Sequence, residues 1–393
     1  MNKQHFPIVC TIMVFTVLSV FTFHAPTVNQ EALKELLEKA KKTNSDALVI
    51  LHDGKVLAEY YSTEKPVMLE TMSITKSIVA LAFGLLETQG LLKSVDQRVY
   101  EFYPEWKQGR KQDITVKQLL NHTSGLQDYS NAGIEIYPSP DFIKLALSAE
   151  LSYTPGTHFF YSNKAVNLLP GIIQKATGKP IDTYLKVNLF NFLGIKESEW
   201  DHDEAGNPQG LAGLTLYPED LAKIGQFVVQ RGEWNKTQII CKSWFDIALQ
   251  PAQPFSSVSG FLWWLLPEST TYVIDDQQIE TLRASGINEM FLKKVALLKG
   301  SYKSNLEFDQ KLESVLGKNF EEILMQELRS EITLSRHVHG PIIGYRAEGW
   351  LGQYLIIYPT KNLVGVRMIA NNPNWKSENQ FSDFAQLLYR VIN

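Results

Sequence analysis

The apolar positions change period several times along the chain. Residues 31–42 place Leu33, Leu36, Leu37 and Ala40 on one side of a short amphipathic helix. Residues 47–61 then read as two strands around Asp53-Gly54, a strong hairpin turn signal. The carboxy-terminal end repeats this pattern, with β-rich runs over residues 353–357 and 363–369 separated by Pro359-Thr360-Lys361-Asn362. Both ends therefore supply antiparallel strands, expected in one sheet. Between them the spacing is helical, chiefly over residues 73–86, 115–120, 140–148, 164–177, 184–192 and 218–231. From residue 268 to 339 charge is dense, and Leu306, Leu312, Leu316, Phe320, Ile323, Leu324, Leu328 and Ile332 fall at helical spacing. That spacing predicts helices over 276–298 and 306–334. The expectation is an α+β fold: an antiparallel sheet built from both termini and flanked by helices, plus an all-helical region between them. A helical insertion over 267–340 separates the body at 26–266 from the closing strands and helix at 341–393.

The amino terminus departs from this pattern. Lys3 is the only formally charged side chain before Glu31, and residues 6–23 are almost wholly apolar, as in a secretion signal. Pro26 follows Ala25, and Phe23 occupies a position where cleavage prefers a small residue, so residues 1–25 read as a signal peptide or as an uncleaved membrane anchor. The chain is expected to be exported, to the periplasm or the extracellular space, with membrane association through its amino terminus in the anchored case. Cys10 lies inside the apolar run and Cys241 is the only other cysteine, so the exported chain has no intramolecular disulfide available. The whole sequence, 393 residues with 44% hydrophobic and 20% charged, has a globular composition that needs neither metal nor cross-link for stability. Lys and Arg total 38 against 42 Asp and Glu, and no basic run occurs, so nucleic acid is excluded as a partner and a small molecule is favoured.

Three stretches can carry chemistry. Ser73-Ile74-Thr75-Lys76 places an amine one helical turn from a hydroxyl, within reach of it, as an activated nucleophile requires. Ser62-Thr63-Glu64-Lys65 has the same spacing, but it closes a strand and is followed by Pro66, whereas Ser73 opens an apolar helix. A buried helix start offers backbone N–H groups and takes the amine out of water. The competing reading for Ser73 is a helix cap. Tyr161-Ser162-Asn163 leads into an apolar helix and supplies a phenol for proton transfer, while Tyr129-Ser130-Asn131 has the same letters without the helix. Either triplet also reads as a turn in which Asn bonds its own backbone. Ala347-Glu348-Gly349-Trp350 starts a strand in which glycine allows close approach to a ligand or marks a bulge. Glu348 could attract an amine-bearing substrate, but alternation along that strand turns it away from the site if Ala347 faces inward. His337-Val338-His339 reads as a solvated loop and not as a metal site, and no cofactor is called for. His122 reads as a turn-stabilising residue, and Trp263 and Trp264 as core.

Taken together, Ser73-Ile74-Thr75-Lys76, Leu119-Leu120-Asn121-His122-Thr123-Ser124-Gly125-Leu126 and the run from Pro155 to Asn163, in this order, resemble the serine β-lactamase-like family. That family includes class C β-lactamases, D,D-peptidases, family VIII esterases and 6-aminohexanoate-dimer hydrolases. The resemblance covers about residues 45–265 and 341–393. Residues 213–225, Trp263-Trp264 and Gly352-Gln353-Tyr354 look most like the esterase and 6-aminohexanoate-dimer hydrolase branch. The resemblance implies a β-lactamase/transpeptidase-like fold and acyl transfer to water through a Ser73 ester. It further implies that Lys76 and Tyr161 share the acid and base work, that Asn163 orients the substrate, and that the N–H groups of Ser73 and Trp350 hold the oxyanion. Ala347, Gly349 and Trp350 would border the substrate. Ala347-Glu348-Gly349 stands where the family has Lys-Thr-Gly or His-x-Gly, which removes the anchor for a β-lactam carboxylate. The expected substrate is a small ester or amide. The alternatives are a cell-wall D,D-carboxypeptidase or β-lactamase, and a catalytically silent exported binding protein. The stripe Leu316, Phe320, Ile323, Leu324 and Leu328 needs cover from the body, a second copy or a membrane. A flap over the body near the site is the expectation.

Overall fold

Strands β1 (Ala47–His52) and β2 (Lys55–Tyr61) turn at Asp53 and Gly54, whose φ values of 51° and 71° belong to a type I′ hairpin. The computed structural model describes residues 27–328, 332–372 and 375–393. The apolar run at 6–23, with Cys10, lies outside the described residues. Six further strands follow in the region from 264 onward: β3 (Trp264–Pro267), β4 (Thr270–Ile274), β5 (Gly300–Tyr302), β6 (Arg336–His339), β7 (Ile342–Gly349) and β8 (Gln353–Tyr358). The last is β9 (Leu363–Met368). The main sheet is antiparallel in the order β2-β1-β9-β8-β7-β3, with Ala47 opposite Met368 and His52 opposite Leu363 where the two ends of the chain meet.

Strand β1 is apolar at every position but its last because both faces of the sheet are covered. Ala47, Val49 and Leu51 join the large core shared with the helical region. Leu48 and Ile50 face the other way, onto helix α1 (Gln30–Lys42) and the carboxy-terminal segment around Phe381 and Phe384. On the large-core side, α2 (Ile74–Thr88) is buried from Ile74 through Leu86. Helix α3 (Asn163–Thr177) is capped by the Ser162 side chain. Helix α4 (Pro218–Val229) lies against the sheet at Gly225, where a Cβ would come within 2.5 Å of Val364. The expected all-helical region also holds five very short strands, Leu69–Glu70, Glu199–Trp200, Leu214–Leu216, Glu233–Trp234 and Thr237–Gln238, too brief to leave a period in the sequence.

Residues 268–340 extend the β3–β7 hairpin away from Trp264. Glu268 N donates to Pro341 O at 2.8 Å and Gly340 N to Ser269 O at 2.9 Å. Beyond that neck, β4 pairs with β5 on one edge and β6 on the other. The segment therefore contains a three-stranded sheet that a purely helical reading omits. Its helices are α5 (Asp276–Ala284), α6 (Glu289–Ala296), α7 (Asn305–Leu316) and α8 (Phe320–Glu327). Each long expected helix is two short ones, broken at Gly286 (φ 80°) and Gly317 (φ 92°). Leu316, Phe320, Ile323, Leu324 and Leu328 pack with Phe291, Val295 and Leu312 in a core made only of residues from 272 to 334. The cover for this stripe is the insertion's own interior, a fourth solution absent from the three expected. Because its two strands leave the sheet at Pro267 and Ile342, at the opposite end from Trp264 and Gly349, the insertion is no flap over the cleft described next.

Candidate active site

Ser73 occupies the cap position of α2, yet its side chain makes no capping hydrogen bond. Its Oγ instead accepts from Lys76 Nζ at 2.8 Å, as the one-turn spacing predicts. This removes the capping alternative for Ser73. Ser62, in the decoy match, donates to the Asp46 carboxylate at 2.6 Å on the surface. Lys76 is 3% exposed and also donates to the Leu211 carbonyl at 2.6 Å. That carbonyl is held in place by Asn167, whose Oδ1 accepts from Gly210 N and Leu211 N at 3.0 Å each. Further on, Leu214 of the short strand Leu214–Leu216 accepts from Thr71 Oγ1 and donates its N–H to Thr75 Oγ1, tying that strand to the start of α2.

Tyr161 stands over the ammonium of Lys76, with Nζ 5.0 Å from the ring centroid. Its ring lies between His122, at 4.6 Å, and Trp264, at 6.2 Å and nearly parallel. His122 is buried, and burial followed by the Lys76 charge pushes its pKa down to about 3. Nδ1 accepts from Ser162 N at 3.1 Å, so the proton of the neutral ring sits on Nε2. With its Nδ1 lone pair taken by Ser162 N and its proton affinity low, the ring packs against Tyr161 as a neutral support. Asp128 fixes the other side of this segment by accepting from Ser162 Oγ and Lys164 N. Tyr129 of the second triplet is 46% exposed and lies outside the Ser73 cleft, and its Asn131 caps a short surface helix.

Strand β7 ends against the turn at Ser73. A Cβ on Gly349 would lie 2.7 Å from the Thr71 carbonyl oxygen and 3.0 Å from Ser73 N, so only glycine allows this contact. The approach fixes the register of the strand against the turn at Ser73. Ala347 is 1% exposed and packs in the core shared with α2, while Glu348 is among the residues that line the cleft. Ala347 and Gly349 thus face the α2 side of the sheet, and Glu348 lies on the other face opposite Tyr354, from where it borders the open end of the cleft. Gly349 and the 64% exposed Trp350 line the outer part, and Asn163 is buried at the start of α3 without lining either part. Behind Trp350, the fully buried Arg367 donates to the carbonyls of Leu351 and Gly352 at 3.0 and 2.7 Å, clamping that turn.

The inner cleft is a slot lined by Ser73, Lys76, Tyr161, Ser259 and Trp264. It opens into a lobe of about 360 Å³ bordered by Trp350, Tyr354 and Gln380. Trp264 is thus a cleft wall, while Trp263, 2% exposed, belongs to the core and also borders the inner slot. Four residues around this cleft, Met72, His122, Leu262 and Leu351, have positive φ without being glycine, between 51° and 69°. Such backbone costs of order 1–3 kcal/mol per residue and is held where surrounding structure imposes it.

Residues 31–238, just over half of the chain, match the model of the family described as Beta-lactamase. The chain belongs to the β-lactamase family. Among curated members, Penicillin-binding protein 4* of Bacillus subtilis (strain 168) is 31% identical over 139 residues, 33% of this chain and 30% of that protein. Esterase EstB of Burkholderia gladioli is 30% identical over 143 residues, 32% of this chain and 36% of that protein. The chain spans less than half the length of the curated β-lactamase-family relatives it matches. A solved structure from Bacillus anthracis, provisionally assigned as a 6-aminohexanoate-dimer hydrolase, superposes with a TM-score of 0.60 at 19% identity, covering 91% of this chain and 80% of that one. The fold is therefore the β-lactamase/transpeptidase-like α+β fold expected from the sequence.

The sequence reading misses Asn167, Asp128 and Arg367, and it weighs Glu348 and Trp264 but reads them as turned away and as core. Asn167 is one turn beyond Asn163 on the same helix face, the only local hint among these. His337 and His339 lie on β6, where His339 Nδ1 contacts Thr270 Oγ1 at 3.0 Å and burial lowers both pKa values.

Proposed function

We propose that the protein is a serine hydrolase that cleaves a small ester or amide through an acyl-Ser73 intermediate. The 2.8 Å contact between Lys76 Nζ and Ser73 Oγ carries this reading. With the amine neutral, the same contact runs in reverse: Ser73 donates to the Lys76 lone pair, and one of the two remaining amine N–H bonds still satisfies Leu211 O. Ser73 Oγ attacks the acyl carbon as its proton passes to Lys76. Tyr161, over Lys76, relays that proton to the leaving oxygen or nitrogen as its bond to carbon breaks. Water then attacks the ester carbonyl, gives its proton to the same pair, and releases the acid with Ser73 restored. The N–H groups of Ser73 and Trp350, brought close by Gly349, stabilise the negative oxygen of each tetrahedral intermediate.

Esters and amides rank above β-lactams in this reading. The Ala347 side chain is buried, and Glu348 presents a negative charge where a β-lactam carboxylate would need a cation or hydroxyl. The test is a panel of p-nitrophenyl esters, nitrocefin and a D-alanyl-D-alanine peptide with wild type and Ser73→Ala. Short esters should turn over fastest and Ser73→Ala should abolish turnover. Nitrocefin outpacing every short ester would overturn the ranking.

A further inference from the structure

Glu348 is the only acidic side chain among the described residues that line the cleft, and it sits in the lobe next to Ser73. It lies opposite Tyr354 in the β7–β8 register, and Trp264 and Trp350 border the same lobe. Arg346, two residues earlier on the same face, approaches one carboxylate oxygen, Nη1 to Oε2, at 3.4 Å. Both side chains of this pair are more than a third exposed, so the pairing is weak and leaves Oε1 with no hydrogen-bond donor among the described residues. A carboxylate set among aromatic faces attracts a cation twice, by charge and by the ring quadrupoles, and it repels an anion. An uncharged substituent would gain from the rings alone and would leave the carboxylate partly desolvated without a partner. We infer that the lobe beside Ser73 takes an ammonium group carried by the substrate, with Glu348 as its ion-pair partner and Trp264, Trp350 and Tyr354 as its walls. This deepens the ester or amide reading by naming the class of substituent, and it rests on that reading only for what happens at Ser73.

Primary alkylammonium ions from ethyl to hexyl, each paired with the alcohol of equal length, test the lobe directly. Their binding is followed by tryptophan fluorescence and by calorimetry in wild type and in Glu348→Gln and Glu348→Lys. The best ammonium ion should bind wild type about tenfold more tightly than its alcohol, a preference of the size expected for a partly exposed ion pair with a cation–π contact. Glu348→Gln should bring that ratio close to one, and Glu348→Lys should favour the matching alkyl carboxylate. A wild-type ratio near one, or a ratio that Glu348→Gln leaves unchanged, overturns the inference and assigns Glu348 to Arg346 alone. Because binding is read whether or not Ser73 reacts, absence of covalent labelling at Ser73 would defeat the hydrolase reading separately.

Discussion

The cleft and the insertion solve opposite problems with the same residue alphabet. The insertion is a small unit with an apolar core in which Gln278 is a buried polar group bonded within the unit, and among its described residues the left-handed positions, Gly286 and Gly317, are taken by glycine. Around the cleft, left-handed backbone falls on Met72, His122, Leu262 and Leu351, and the buried polar groups Lys76, His122 and Arg367 are held by hydrogen bonds from several segments. Strain and buried polarity lower stability, so they persist only where a large core supports them. The insertion follows the local rules of folding, and the cleft departs from them where chemistry needs it.

Activity gives the sharpest contrast. Lys76→Ala should lower kcat/KM by about 10²–10⁴, the range for loss of a positioned base, and Tyr161→Phe should fall in a similar range. Tyr129→Phe, in the exposed triplet, should stay near wild type; steady-state rates on one ester suffice. Reversed behaviour of the two tyrosines would move the proton relay to the other loop.

The same substitution in the two cores separates their stabilities. Phe83→Ala and Phe291→Ala each remove a buried ring, from α2 and from α6, at a cost of about 3–5 kcal/mol. The first should lower the main unfolding transition and abolish turnover in proportion. The second should loosen only residues 270–339, seen as faster amide exchange there, with the hydrolysis rate unchanged. If Phe291→Ala lowered the main transition equally, the insertion would be part of the body's cooperative unit.

His122 adds a pH signature confined to the cleft. Its native pKa lies near 3 while the unfolded ring titrates near 6.5, so the unfolded state binds one more proton between those values. Stability present above about pH 6.5 should therefore be lost as pH falls towards 3, at up to about 1.4 kcal/mol per pH unit from this residue. Denaturant unfolding across pH should show a shallower acid slope for His122→Gln. An unchanged slope would show that the ring already charges in the folded protein.

The smallest expected effect comes from the largest deletion. Ser269 and Gly340 are hydrogen-bonded neighbours, so an Asn-Gly turn joining them in place of residues 270–339 closes the β3–β7 hairpin. Ester turnover and the preference among acyl lengths should remain within about threefold of wild type, since that neck lies away from the site end of both strands. A changed acyl-length profile would restore the insertion to a role at the cleft.

Local features were the legible ones. Ser73 and Lys76 are one helical turn apart, Tyr161 leads into an apolar helix, and Asp53-Gly54 forms the turn its sequence announces. The contacts that organise these residues come from afar: Asp128 is 34 residues from Ser162, Asn167 is 44 from Leu211, and Arg367 reaches Thr43 and Asn379. No spacing rule reports such pairs. Ala347 and Gly349 face α2 as alternation allows, but alternation does not report that Glu348, on the other face beside Tyr354, still borders the open end of the cleft. The insertion's strands went unread because they are three to five residues long and flanked by charge-rich helices.

Covalent chemistry at Ser73 is the claim on which the rest depends. Intact-mass analysis after incubation with a fluorophosphonate, followed by peptide mapping, measures it directly. The account predicts one adduct per chain, located on Ser73, absent from Ser73→Ala and slowed in Lys76→Ala. An adduct on Ser62, or none on a folded chain, would contradict it.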